Sequence, residues 1–125
     1  SPAMNIKTVP LTESGGAFAD MILPLTREQV AAAQQGGNGM VTIGFRPEHT
    51  RLVGPSDGGL PIVVELVEDL GAHANVYGYA TIAGQSERFV LTIDRADMPS
   101  MGETVFLKPT PGGHHAFHPV TGNRL

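Results

Sequence analysis

A mainly β fold, closed as a small barrel and carrying one short helix, is the class that this 125-residue chain predicts. Three observations carry the expectation. Sixteen Gly and ten Pro beside a 41% hydrophobic content disfavour long helices and suit short strands joined by turns. Apolar and polar residues alternate with period two in several stretches, as where Val41, Ile43 and Phe45 interleave with Thr42, Gly44 and Arg46. Helix signals gather in a single place. The length fits one domain, able to bury roughly two-thirds of its unfolded surface.

The first strands are expected at 4–11 and 16–23, around a turn at Glu13-Ser14-Gly15-Gly16. In the second, Ala19, Met21 and Leu23 share one face by the period-two rule. The helix follows, over 27–35. Thr26 is its N-cap and Gln29 completes a capping box, while Leu25 and Val30 occupy the positions of a hydrophobic staple. Ala31, Ala32 and Ala33 favour helix, and Gly36-Gly37 ends it. Strands resume at 40–46 and, beyond the flexible 54–59 segment, at 61–70, with Ile62, Val64 and Leu66 on one face. Strands 74–82 and 87–94 flank a hairpin turn at Ala83-Gly84-Gln85. Strand 103–109 and the tail 114–125 close the chain. Seven or so strands with one helix at this size point to an OB-like barrel.

Several function classes fall away on composition. Without cysteine there are no disulfides, thiolate metal sites or cysteine nucleophiles. The net charge of −4 and the scattered lysines and arginines give no cluster for neutralising phosphates, so nucleic acid is not an expected partner. Tyr77, Tyr79 and Phe89 offer stacking faces, but their strands carry few positive charges. No apolar run approaches the ~20 residues of a membrane-spanning helix, and no signal-peptide pattern opens the chain. The start at Ser1, with Met4 inside what reads as structured sequence, suggests a piece of a longer protein.

The tests for catalysis come out against it. The Gly-rich run 36–44 lacks the Lys of a phosphate-binding loop and reads as a helix stop. No G-x-S-x-G elbow is present. Glu65 and Glu68, three apart in a strand, are expected on opposite faces and so not as an acid–base pair. His114, His115 and His118 are of a metal-ligating type, but Gly112-Gly113 and Pro119 put them in or beside a loop. A packed or solvated cluster is the expectation, with no metal.

What remains is the charged knot Arg46-Pro47-Glu48-His49 at the end of a strand. Pro47 lacks an amide hydrogen and ends the ladder, while holding Arg46 extended. Arg46 presents a rigid fork of donors. The expectation is that Arg46 and Glu48 pin a corner between the two halves of the barrel, 1–46 and 47–125, with a domain or subunit interface as the alternative role.

The run Gly44-Phe45-Arg46-Pro47-Glu48-His49 also resembles a motif in the C-terminal domain of carbohydrate-importing ABC transporter ATPases. Three further stretches are similar to that family, in the same order: 1–5, 64–77, and the close from Met101 to Leu125 with its His-x-Phe and Thr-Gly-x-x-Leu patterns. The resemblance spans essentially the whole chain. It implies an OB-like domain of the TOBE type behind an ATPase domain, 1–125 being one C-terminal regulatory unit. It implies partners as well: the domain's own ATPase half, a second copy in a homodimer, the transporter's membrane subunits and a possible regulatory protein. ATP and Mg²⁺ would belong to the ATPase half, with no cofactor in this domain. The place implied is the cytoplasmic side of the membrane, as a peripheral subunit. His73 and Phe117 are the residues the resemblance carries to a regulator-facing surface. Two departures stand out: His118-Pro119 follows Phe117 where the family commonly has Asp, and His73 stands where some relatives are acidic. A different class, an oxyanion-binding TOBE domain, would need amides, hydroxyls and lysine around a dianion, and Lys7 and Lys108 are the only lysines.

Overall fold

The computed structural model describes residues 2–125. In chain order the elements are β1 (Asn5–Pro10), β2 (Gly15–Phe18), β3 (Met21–Pro24), α1 (Arg27–Gln34), β4 (Met40–Phe45), β5 (Thr50–Val53), β6 (Leu60–Asp69), β7 (His73–Ile82), β8 (Gln85–Asp94), β9 (Thr104–Pro109) and β10 (His114–Phe117). They form a three-stranded sheet in the order β1-β4-β10, the hairpin β2-β3, and a five-stranded sheet β5-β9-β6-β7-β8. Every pairing is antiparallel. The mainly β class with one short helix is as the composition predicts.

The local signals that proved reliable are those that act within a few residues. Thr26 Oγ1 accepts from the Gln29 amide at 3.1 Å, and Gln29 Oε1 accepts from the Thr26 amide at 2.9 Å, which is the capping box in full. Val30 and Ala33 bury the inner face of α1, and Gln35 caps its end. Between β7 and β8 the loop is the two residues Ala83 and Gly84, at φ 49° and 79°. Positive φ at both central positions is the twist that lets a two-residue turn match its strands.

Four expectations needed correction. The stretch 16–23 is two strands, because the chain reverses at Ala19-Asp20, where Ala19 has φ 53°. Ala19 is therefore exposed, and Phe18 takes the buried place beside Met21 and Leu23. Residues 50–53, given no element from sequence, are β5, a short edge strand paired with β9. The tail is a strand only to Phe117; it then turns back, and the Leu125 amide donates to the Ala116 carbonyl at 3.0 Å. In β6 the register shifts between Val64 and Leu66, so Glu65 is a bulge. An extra residue flips the alternation, and Leu66 ends 54% exposed while Val67 packs on the core.

One core joins the sheets. Phe18, Phe45 and Phe89, from β2, β4 and β8, pack with centroids 6.0–6.2 Å apart, Phe45 stacked on Phe89 and Phe18 edge-on to Phe45, and Ile43, Leu60, Ile62, Leu91 and Leu107 surround them fully buried. Segments on either side of Arg46 both feed this core, and β10 returns to β4 to complete the first sheet.

Candidate interaction site

The corner after β4 is built on a proline. Pro47 is buried and starts a single 3-10 turn over Pro47–His49, closed by the His49 amide on the Arg46 carbonyl at 2.9 Å. Thr50, also buried, donates its hydroxyl to the Pro47 carbonyl at 2.7 Å. The His49 carbonyl accepts from the Thr110 amide at 2.9 Å, which ties the corner to the end of β9. The side chains of Arg46 and Glu48 take no part in this. Both are exposed, and among the described residues neither forms an ion pair or a side-chain hydrogen bond. A guanidinium and a carboxylate in water gain little from fastening a corner that backbone bonds and a proline already define. The clasp expected of them is made by Pro47 and Thr50.

The joint between the two larger sheets lies elsewhere, on Asn5. Its side-chain amide donates to the Val90 carbonyl at 2.9 Å and to the Phe45 carbonyl at 3.2 Å, and its oxygen accepts from the Val90 amide at 2.8 Å. Asn5 is 5% exposed, so these bonds are made away from water. A primary amide matches the donor and acceptor of a strand residue, and here it stands in for a missing strand at the edge of β8. Sequence reading passed over Asn5.

His73, at the start of β7 opposite Asp94, is exposed. It shares a cleft of about 570 Å³ with Glu48, Arg51, Asp94 and Asp97. Glu48 of the knot and His73, far apart in sequence, thus face one depression. Phe117 lies on the other sheet, opposite Thr42, half-buried beneath the Arg124 guanidinium at 5.9 Å. The fold therefore does not bring His73 and Phe117 into one site.

The tail histidines divide by their bonds. His118 donates Nε2–H to the Gln35 carbonyl at 2.7 Å, and its Nδ1 accepts from the amides of Val120 and Thr121 at 3.1 and 3.2 Å. Both nitrogens are engaged and the ring is buried, so His118 fastens the tail to the end of α1. His114 donates Nε2–H to the Pro24 carbonyl at 2.7 Å. His115 Nδ1 meets the Arg124 guanidinium at 2.6 Å. Partial burial, with Arg124 and Arg46 adding like charge, holds its pKa below the ordinary histidine range. Among the described residues no group of three His, Asp or Glu side chains is placed to hold a metal ion. Glu65 pairs with Arg88, while Glu68 accepts from Asn75 Nδ2 at 2.8 Å in a row that continues from Thr92 Oγ1 to Asn75 Oδ1 at 2.7 Å. Each carboxylate is tied to its own neighbour.

This architecture, antiparallel strands around one core with one short helix, is a mainly β fold of the OB class. Comparison with known proteins makes the assignment finer. The model of the TOBE domain matches residues 43–117 and that of the MalK OB fold domain matches residues 1–50. The chain belongs to the TOBE domain family. Over its full length it is 34% identical to the diacetylchitobiose uptake system ATP-binding protein MsiK of Streptomyces coelicolor, covering 37% of that protein. It is 38% identical to the sn-glycerol-3-phosphate import ATP-binding protein UgpC of Paracoccus denitrificans and 30% identical to UgpC of Escherichia coli K12, covering 33% and 34% of them. The chain thus spans about a third of the length of these curated relatives.

Proposed function

We propose that this chain is the non-catalytic C-terminal regulatory and dimerisation domain of the ATP-binding subunit of an ABC importer for sugars or sugar phosphates. The supporting observation is the end-to-end similarity to importer ATP-binding proteins that are about three times as long. The chain has no phosphate-binding loop of its own, so nucleotide and Mg²⁺ are handled by the remainder of such a subunit. The subunit works at the cytoplasmic face of the membrane, against the transporter's membrane subunits. No helix among the described residues is long and apolar enough to cross a membrane.

The exposed Glu48 and His73 fit this role because they line one depression, and the exposed Arg46 side chain beside them makes, among the described residues, no ion pair or hydrogen bond that serves the fold. Such a polar, solvated rim sets partner choice and encounter more than raw affinity. The test is to compare the full ATP-binding subunit with a version lacking this segment, measuring ATP hydrolysis and dimer dissociation. The reading expects hydrolysis to persist and the dimer to dissociate at least tenfold more readily. Loss of hydrolysis with an unchanged dimer would refute it.

A further inference from the structure

A second depression, about 350 Å³, lies between the β2–β3 hairpin and the ladder of β5 and β9. Its floor carries an unusual pair. Arg51 of β5 stands directly opposite Lys108 of β9. Like charges in that position repel, at a cost of a few tenths of a kcal/mol or more. Nothing within the chain relieves the repulsion: among the described residues neither cation has an ion-pair partner or a side-chain hydrogen bond, although the net charge of the chain is −4. Arg51 reaches the edge of the neighbouring cleft that holds Glu48, Asp94 and Asp97 and pairs with none of them. No Asp or Glu lines the groove itself. The Lys108 ammonium lies beside Gly58, which also lines the groove, 3.8 Å from where a β-carbon would stand. Ile22, Pro24, Pro109 and Pro111 give the groove its apolar lining, beside Thr110 and His114.

We propose that this groove binds a phosphate monoester, its dianion held between Arg51 and Lys108 and its carbon body against the proline-lined wall. A guanidinium fork beside a compact ammonium matches the oxygens of a dianion. A volume near 350 Å³ is at the small end of ligand pockets, which suits a short ester better than a nucleotide. The site lies within one chain and is independent of the dimerisation reading above.

The experiment is calorimetry and thermal melting of this protein with inorganic phosphate, sulfate, glycerol 3-phosphate and glycerol, repeated on Arg51→Gln and Lys108→Met. Glycerol 3-phosphate is expected to bind more tightly than either inorganic anion, and glycerol not at all. Each substitution is expected to weaken that binding about tenfold or more, while the ligand-free melting temperature stays level or rises as the repulsion is relieved. The melting arm separates a ligand-holding pair from a structural one, whose loss would lower the ligand-free melting temperature. Absence of binding up to about 10 mM, equal affinity for sulfate, or binding untouched by both substitutions would overturn the proposal. Capture of a poly-glutamate peptide without any binding of the ester would overturn it in favour of an acidic protein partner.

Discussion

Two places in this molecule invite comparison: the corner Arg46–His49, dense in charge, and the joint at Asn5, which has none. The corner's Arg46 and Glu48 side chains are exposed and, among the described residues, form no ion pair or hydrogen bond, whereas Asn5 is buried and makes three side-chain hydrogen bonds, two of them to Val90 across to the other sheet. The difference follows from solvation. A charge loses several kcal/mol on leaving water, so it stays outside unless paired. A neutral amide loses less and recovers it by bonding to backbone groups that would otherwise be orphaned. The charges of the corner therefore stay at the surface, while the neutral amide of Asn5 can be buried to join two parts of the fold.

The comparison can be broken or sharpened by substitution. Asn5→Ala carries the largest expected effect, since it strands the half-buried amide and carbonyl of Val90: a loss of about 2–3 kcal/mol, read as a drop in melting temperature on the order of 10 °C. Thr50→Val removes the hydroxyl on the Pro47 carbonyl at nearly constant volume, and chemical denaturation should show a loss of about 1 kcal/mol. Thr26→Ala tests whether the helix depends on its cap to a similar extent, about 1 kcal/mol. Smaller still is the proton linkage at His115. Its pKa is lowered in the fold, so the unfolded chain binds the proton more readily. Stability rises with pH across that interval. The contribution is present above the ordinary histidine pKa and fades as pH falls through it towards the lower folded value; His115→Gln should flatten that part of a stability-against-pH curve.

How much of this was legible in the sequence depended on distance along the chain. The capping box of Thr26 and Gln29 spans three residues, and the Ala83-Gly84 turn spans two, so local chemistry fixed both. The fold class followed from the alternation. Asn5 could not be found that way, because its partner Val90 is 85 residues on and an asparagine near a strand start has no periodic signature. The bulge at Glu65 also escaped, since a one-residue slip in β6 is set by β7 and Gly78 across from it; a β-carbon on Gly78 would stand 2.4 Å from the Val63 carbonyl oxygen. Ala19 hid the β2–β3 turn, as alanine at positive φ gives no cue where glycine or asparagine would. For the candidate site, the knot and His73 were visible as residue types, but only the fold puts Glu48 and His73 on one cleft. The facing cations Arg51 and Lys108 needed the register of a strand, β5, that the sequence did not announce.

On the function proposed above, the corner's charges act between molecules and not within one. The most direct measurement is sedimentation of the full ATP-binding subunit carrying Arg46→Ala and Glu48→Ala together, beside its melting curve. The account predicts self-association weakened about tenfold, with stability within about 0.5 kcal/mol of the unsubstituted protein, as for surface changes that break no contact. A melting temperature lowered by several degrees with association intact would contradict it.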